Sequence, residues 1–311
     1  MPIEEPEVDA YSAEDIRKQV ARVLRDLDNP EPPLQLAEVR ELLKLDLGYY
    51  SKTDLSLFDE VSHRLMVGGK RLFQKPARMI EVVKKAGLRA LLFQADRRIL
   101  IDDEVPTPKH RHIVAHEICH DITPWHRDFL LGDNELTLNP ECHEIIEAEA
   151  NFGAGQLLFL MDKFAQEARE VELSWASTQT LKRRYGNTLT TTLWHMIEEQ
   201  NPDHPVVGLI SRHPRYPKIG GGPDGNSCRH FIRSRGFRNV FPHIVANDIY
   251  GIVRSYVDFR SKGPTGDATE PLQDANGEFW EFRFESFCNG YDLLTFGIAL
   301  RQLPTIGQVQ R

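Results

Sequence analysis

Apolar positions recur at helical spacing through the first two thirds of the chain and alternate with polar ones near its end. In SAEDIRKQVARVLRDL, Ile16, Val20, Val23, Leu24 and Leu27 fall on one helical face behind an N-cap signal at Ser12. DNPEPP (Asp28 to Pro33) breaks that helix, and LQLAEVRELLKLDL resumes the period up to GYYS. SLFDEVSHRLMV predicts a further helix, closed by Gly68-Gly69. Two short apolar runs, Leu88 to Phe93 and Ile99 to Asp102, then flank Ala95-Asp96-Arg97 as the arms of a hairpin. A strand therefore runs toward RHIVAHEICHDI, which starts after Pro106 and Pro108 and is stopped by Pro124, limits that suit a helix of about three turns. PECHEIIEAEANFGAGQLLFLMDKFAQEAREVEL reads as one long helix, followed by shorter ones over STQTLKRRYG and TTTLWHMIEEQ.

The pattern changes after the proline- and glycine-rich HPRYPKIGGGPDGNS. DIYGIVRSYVDF, GEFWEFRFESF and YDLLTFGIALRQL are rich in aromatic and β-branched residues, and Trp280, Phe282 and Phe284 alternate with Glu281, Arg283 and Glu285. With a type I′ turn signal at Asn289-Gly290, this end predicts an antiparallel sheet with its aromatic stripe in the core. The expected fold is α+β. Residues 1–170 form a mainly helical domain with a small β-sheet, 1–12 being a flexible acidic tail. Residues 171–311 form a helical segment and an antiparallel β-rich region that binds a partner or senses a signal.

Composition narrows the classes. The four cysteines, Cys119, Cys142, Cys228 and Cys288, make no CxxC pair, which argues against a disulfide framework or a cysteine-rich zinc site and fits a reducing compartment. MPIEEPEVDAYSAED lacks an apolar core, and no run approaches the roughly 18 apolar residues of a membrane span, so a cytoplasmic protein with no membrane partner is expected. A net charge of −8 disfavours a protein built mainly to coat nucleic acid. Between Lys182 and Arg238, however, ten basic residues face four acidic ones, a solvated basic face or a patch for an acidic partner. STQTLKRRYGNTLTTTLWHMIEEQ reads as a plain helical hairpin, because it lacks the side-chain pattern of a recognition helix.

The chemistry concentrates in AHEICHDITPWH. Residues four apart share a helix face, so His116 and His120 can offer ring nitrogens to one ion, with Glu117 beside them within reach of a metal-activated water as general base. Zn2+ is the expected cofactor, and a third ligand is required. His126 has the spacing of an HExxHxxGxxH site. Thr123 and Pro124 occupy the segment where that motif turns on a glycine, so His126 is read as a surface or substrate-facing histidine. The favoured third ligand is Glu147 in EAEANFGAGQLL, supported from behind by Asn151 one turn on, with Glu149 as nearest rival. Cys119 falls off the metal face and is expected to pack as a small side chain. Tyr49, Tyr50, His126 and His143 are candidates to stabilise an oxyanion, with none favoured.

RHIVAHEICHD followed by EAEANFGAGQLLFL resembles the ImmA/IrrE family of metallo-endopeptidases, whose signature joins HExxH to E-x-x-A-N; the resemblance covers roughly Leu88 to Met161. It implies a zincin-like domain in which His116, His120 and Glu147 hold zinc and Glu117 is the base. It also implies a regulatory peptidase of restricted specificity, acting on a protein substrate such as a helix-turn-helix repressor to switch on stress-response or mobile-element genes. The chain departs from the family at Cys119, where glycine is usual, and at Gly153 and Gly155. The alternative is a non-proteolytic regulatory protein that keeps the peptidase fold and docks a protein partner or DNA.

Overall fold

The computed structural model describes residues 7–51, 90–93, 97–126, 140–222 and 225–304; the helix expected over SLFDEVSHRLMV lies outside them. The fold is α+β, and the chain divides into two units that meet at Met161 and Asp162. That boundary precedes the expected one at residue 170.

The first element of the N-terminal unit is α1 (Ala10–Asp26), which starts inside the segment 1–12 expected to be a flexible tail. Its cap is Asp9, not Ser12: the Asp9 carboxylate accepts from the backbone N–H of Tyr11 at 2.9 Å and of Ser12 at 3.0 Å. Helix α2 (Leu36–Leu43) also ends earlier than its apolar pattern suggests, because Lys44 adopts a left-handed conformation, φ 55°. The next residues form β1 (Asp46–Tyr50), which pairs parallel with β3 (Arg98–Asp102); β2 (Ala90–Phe93) pairs antiparallel with β3, as the hairpin reading requires. Helix α3 (Thr107–Ile122) carries the histidine motif and α4 (Pro140–Leu158) the acidic one. The core lies between them: Cys119 is fully buried, and a Cβ at Gly153 of α4 would stand only 3.0 Å from its sulfur and 3.1 Å from Ile16 of α1. Gly153 thus admits the larger residue at 119 and lets three helices close together.

The long helix expected beyond α4 is broken. Leu160 and Met161 both have positive φ, 55° and 53°, and α5 (Asp162–Arg169) starts afresh in the C-terminal unit, where Phe164 stacks edge-on against Tyr185. Helices α6 (Trp175–Tyr185) and α7 (Leu189–Glu199) follow as expected. The sheet has the order β5-β4-β8-β7-β6, all antiparallel, from β4 (Val206–Ser211), β5 (Cys228–Arg233), β6 (Gly263–Gln273), β7 (Phe279–Cys288) and β8 (Leu293–Gln302). Between β5 and β6 lie α8 (Arg235–Val240) and α9 (Ala246–Tyr256). The latter replaces the strand expected over DIYGIVRSYVDF. Its buried Ala246, Ile249 and Val253 have helical spacing, and that period outweighs the β-branched composition.

Phe282 and Phe284 are fully buried, so the aromatic stripe is core. The β7–β8 turn contains Asn289-Gly290, but only Gly290 has positive φ, and the Asn289 side chain accepts from the N–H of Tyr291 and Asp292. Type I′ geometry, which needs positive φ at both residues, is absent there. Part of the basic excess is neutralised locally by Arg229–Asp292, Arg235–Asp203 and Arg184–Glu167. No described helix is long and apolar enough to cross a membrane.

Candidate metal centre

Helix α3 presents His116 and His120 on one face, and α4 brings Glu147 against them. One Glu147 oxygen lies 3.3 Å from His116 Nε2 and the other 3.5 Å from His120 Nε2, while the two Nε2 atoms are 3.0 Å apart. The three ligand atoms all lie within 4.8 Å of one another. His116 Nδ1 lies 2.9 Å from Asn151 Oδ1; that oxygen can only accept, so the His116 proton sits on Nδ1 and Nε2 is left with its lone pair. Acceptor atoms packed this closely repel unless a proton or a cation lies among them. Two imidazoles and one carboxylate, with an acceptor fixing the far nitrogen of a histidine, form a donor set that could hold a metal ion.

His126 and Glu149, the two rival ligands, sit elsewhere. His126 is wholly buried and not on the surface; its Nδ1 lies 3.1 Å from His120 Nδ1, and its Nε2 lies 2.8 Å from Glu149 Oε2. The indole N–H of Trp125 donates to the same Glu149 oxygen at 2.7 Å. Thr123 and Pro124 therefore turn the chain inward behind His120 without the glycine turn of a three-histidine site. A cleft of about 490 Å³ opens beyond Glu149, bounded by Tyr11, Trp125 and Ile145; none of the three converging residues lines it.

Glu117 is buried beside His116, and burial pushes its carboxyl up to about 7, with the His116 charge opposing and Glu147 reinforcing. Burial holds His120 down at about 4. For His116 burial acts the same way, but the carboxylates of Glu147 and Glu117 together with Asn151 outweigh it and raise its pKa. Glu147 is likewise opposed by burial, yet the two histidines hold it well below the usual carboxylate range.

Sequence reasoning missed three nearby residues. His112, one turn before His116, is held at about 4 chiefly by burial, and its Nδ1 is buried without a hydrogen-bond partner among the described residues. Its four-residue spacing from His116 was a visible signal. Asp121, next to His120, is buried and takes both guanidinium nitrogens of Arg97, one at 2.9 Å; Arg97 also donates to the Leu43 carbonyl. Nothing in the local pattern joins Arg97 to Asp121, since β2 and β3 must first pack on α3. Of the oxyanion candidates, Tyr49 is exposed beside His110, Tyr50 is buried, and the His143 side chain lies outside the described residues.

No protein-family model and no curated protein matches this chain. Among solved structures it is similar to a Mycobacterium tuberculosis transcriptional regulator, with 11% identity and a TM-score of 0.39 over 96% of this chain and 98% of that one.

Proposed function

We propose that the protein is a zinc-dependent metallo-endopeptidase of restricted, regulatory specificity. The observation that carries this reading is the convergence of His116 Nε2, His120 Nε2 and both Glu147 oxygens next to a buried Glu117. Held by His116, His120 and Glu147, zinc would acidify a water molecule and polarise a peptide carbonyl. Glu117 takes a proton from the attacking water as its oxygen bonds to the carbonyl carbon; when the C–N bond breaks, Glu117 returns the proton to the leaving nitrogen. Asn151 holds His116 in the tautomer that ligation needs. The resemblance to the ImmA/IrrE family supports a partner protein, such as a helix-turn-helix repressor, as substrate.

Protein purified without added metal should contain about one zinc per chain. Glu117→Gln should keep zinc and fold yet lose several orders of magnitude in peptide-bond cleavage, read as new fragments of partner proteins in cells. A Glu117→Gln variant that sustains the biological response as well as the unaltered protein would exclude proteolysis and leave docking of a partner as the function.

A further inference from the structure

We infer that His126 and Glu149 are positioning residues: a buried imidazole–carboxylate chain behind His120 fixes the tautomer and orientation of that ring and so sets how tightly the site holds metal, although neither residue is a ligand. The inference rests on the metal-site reading above.

An ionised Glu149 can only accept, so His126 Nε2, 2.8 Å away, must donate, as the Trp125 indole does to the same oxygen at 2.7 Å. A neutral imidazole with its proton on Nε2 has a bare Nδ1. With His126 neutral, that atom, 3.1 Å from His120 Nδ1, accepts from it, and the His120 proton is then confined to Nδ1. The lone pair is then left on His120 Nε2, 3.5 Å from a Glu147 oxygen. The opposite tautomer would set two lone pairs against each other at 3.1 Å, in a place where His126 is 0% and Glu149 and His120 are each 4% exposed. Burial at the two ring nitrogens leaves little solvent to relieve the clash. Both nitrogens of His126 are engaged, so it has no electron pair for a metal. The two ligating histidines are thus held differently: His116 by an amide on α4, and His120 by a buried chain that ends in a charge. A carboxylate-backed imidazole raises the basicity of the ring it supports.

The test uses full-length protein and measures zinc affinity by competition with a chromogenic chelator, the visible spectrum of the cobalt-substituted site, and folding by circular dichroism. His126→Ala and Glu149→Gln should each weaken zinc binding by about 10–100-fold and alter the cobalt spectrum. The double variant should be no weaker than His126→Ala, because Glu149 acts through His126. Trp125→Phe, which leaves the chain intact, should change affinity by less than about threefold, a bound that sits inside the non-additivity expected of neighbouring residues. The inference is overturned if folded Glu149→Gln binds zinc with unaltered affinity and spectrum, and equally if His126→Ala abolishes binding as completely as His120→Ala, which would make His126 a ligand. Should the unaltered protein take up no zinc at all, the metal-site reading fails first, an outcome distinct from both.

Discussion

His230, on β5, shows how one half-buried side chain ties the C-terminal unit to pH. Its ring packs edge-on against Trp194 with centroids 5.4 Å apart, and its Nδ1 is buried without a hydrogen-bond partner among the described residues. Burial, and secondarily the charge of Arg229, hold its pKa at about 4, against 6.5 for an ordinary histidine. In the unfolded chain the ring takes up a proton near 6.5, whereas the folded ring stays neutral until about 4. The unfolded state therefore binds more protons across that window, and folding stability falls as pH drops from about 6.5 to about 4. His230→Asn should flatten this dependence, measured as the urea midpoint of the C-terminal transition at each pH; an unchanged slope would remove His230 as its origin. At the candidate metal site the same scale decides what was legible. His116, Glu117 and His120 stood out because spacing along one helix determines which side chains share a face, and Glu147 and Asn151 because a second helix packed on the first can offer a carboxylate with a polar residue one turn on. The roles of His126 and Glu149 were hidden because they depend on an inward turn at Thr123 and Pro124 that no period encodes.

Elements were read correctly where period and composition agreed, as in α1, α3, β7 and β8, and misread where they conflicted. The α9 segment has the composition of a strand and the spacing of a helix; β1 continues the apolar rhythm of α2, and only the left-handed Lys44 separates them. The break after α4 lies at Leu160 and Met161, residues without a turn preference that could announce it. Arg97 makes a different kind of joint. At the β2–β3 turn with φ 52°, it reaches both the C-terminal end of α2 through the Leu43 carbonyl and α3 through Asp121, while its own carbonyl accepts from Asp46 of β1 at 2.8 Å. Asp121 is 1% exposed, so losing its guanidinium partner costs more than a surface pair would. Arg97→Ala should lower stability by about 2–3 kcal/mol, read as a shift in denaturant midpoint. Because Asp121 neighbours His120, the same variant should also loosen the site, visible as faster zinc loss to a chelator. A midpoint within about 0.5 kcal/mol of the unaltered protein would show that the pair is dispensable, as exposed ion pairs are.

For the whole molecule, the placement of the unit boundary has a consequence for metal binding. His116, His120 and Glu147, with Asn151, His126 and Glu149 behind them, all lie in the unit that ends at Met161, as do α1, α3 and α4, which pack together around Gly153. Helix α5 belongs to the other side. Phe164 packs against Tyr185 and His195, and the Ala168 carbonyl accepts from the Gln200 amide at 3.0 Å. A chain cut at residue 170, where the helical pattern alone would place the boundary, carries α5 away from these partners and exposes Phe164, Ala165 and Ala168, all buried in the full protein. A chain cut after Met161 leaves no such remnant. Residues 1–161 should therefore fold, stay monodisperse and bind about one zinc, whereas residues 1–170 should bind zinc equally well but self-associate through the stranded helix. Size-exclusion chromatography and metal analysis of the two fragments separate these outcomes. A folded 1–161 fragment without zinc would overturn the assignment of the metal centre to this unit; two fragments of equal solubility would mean that α5 does not depend on the C-terminal unit for its burial.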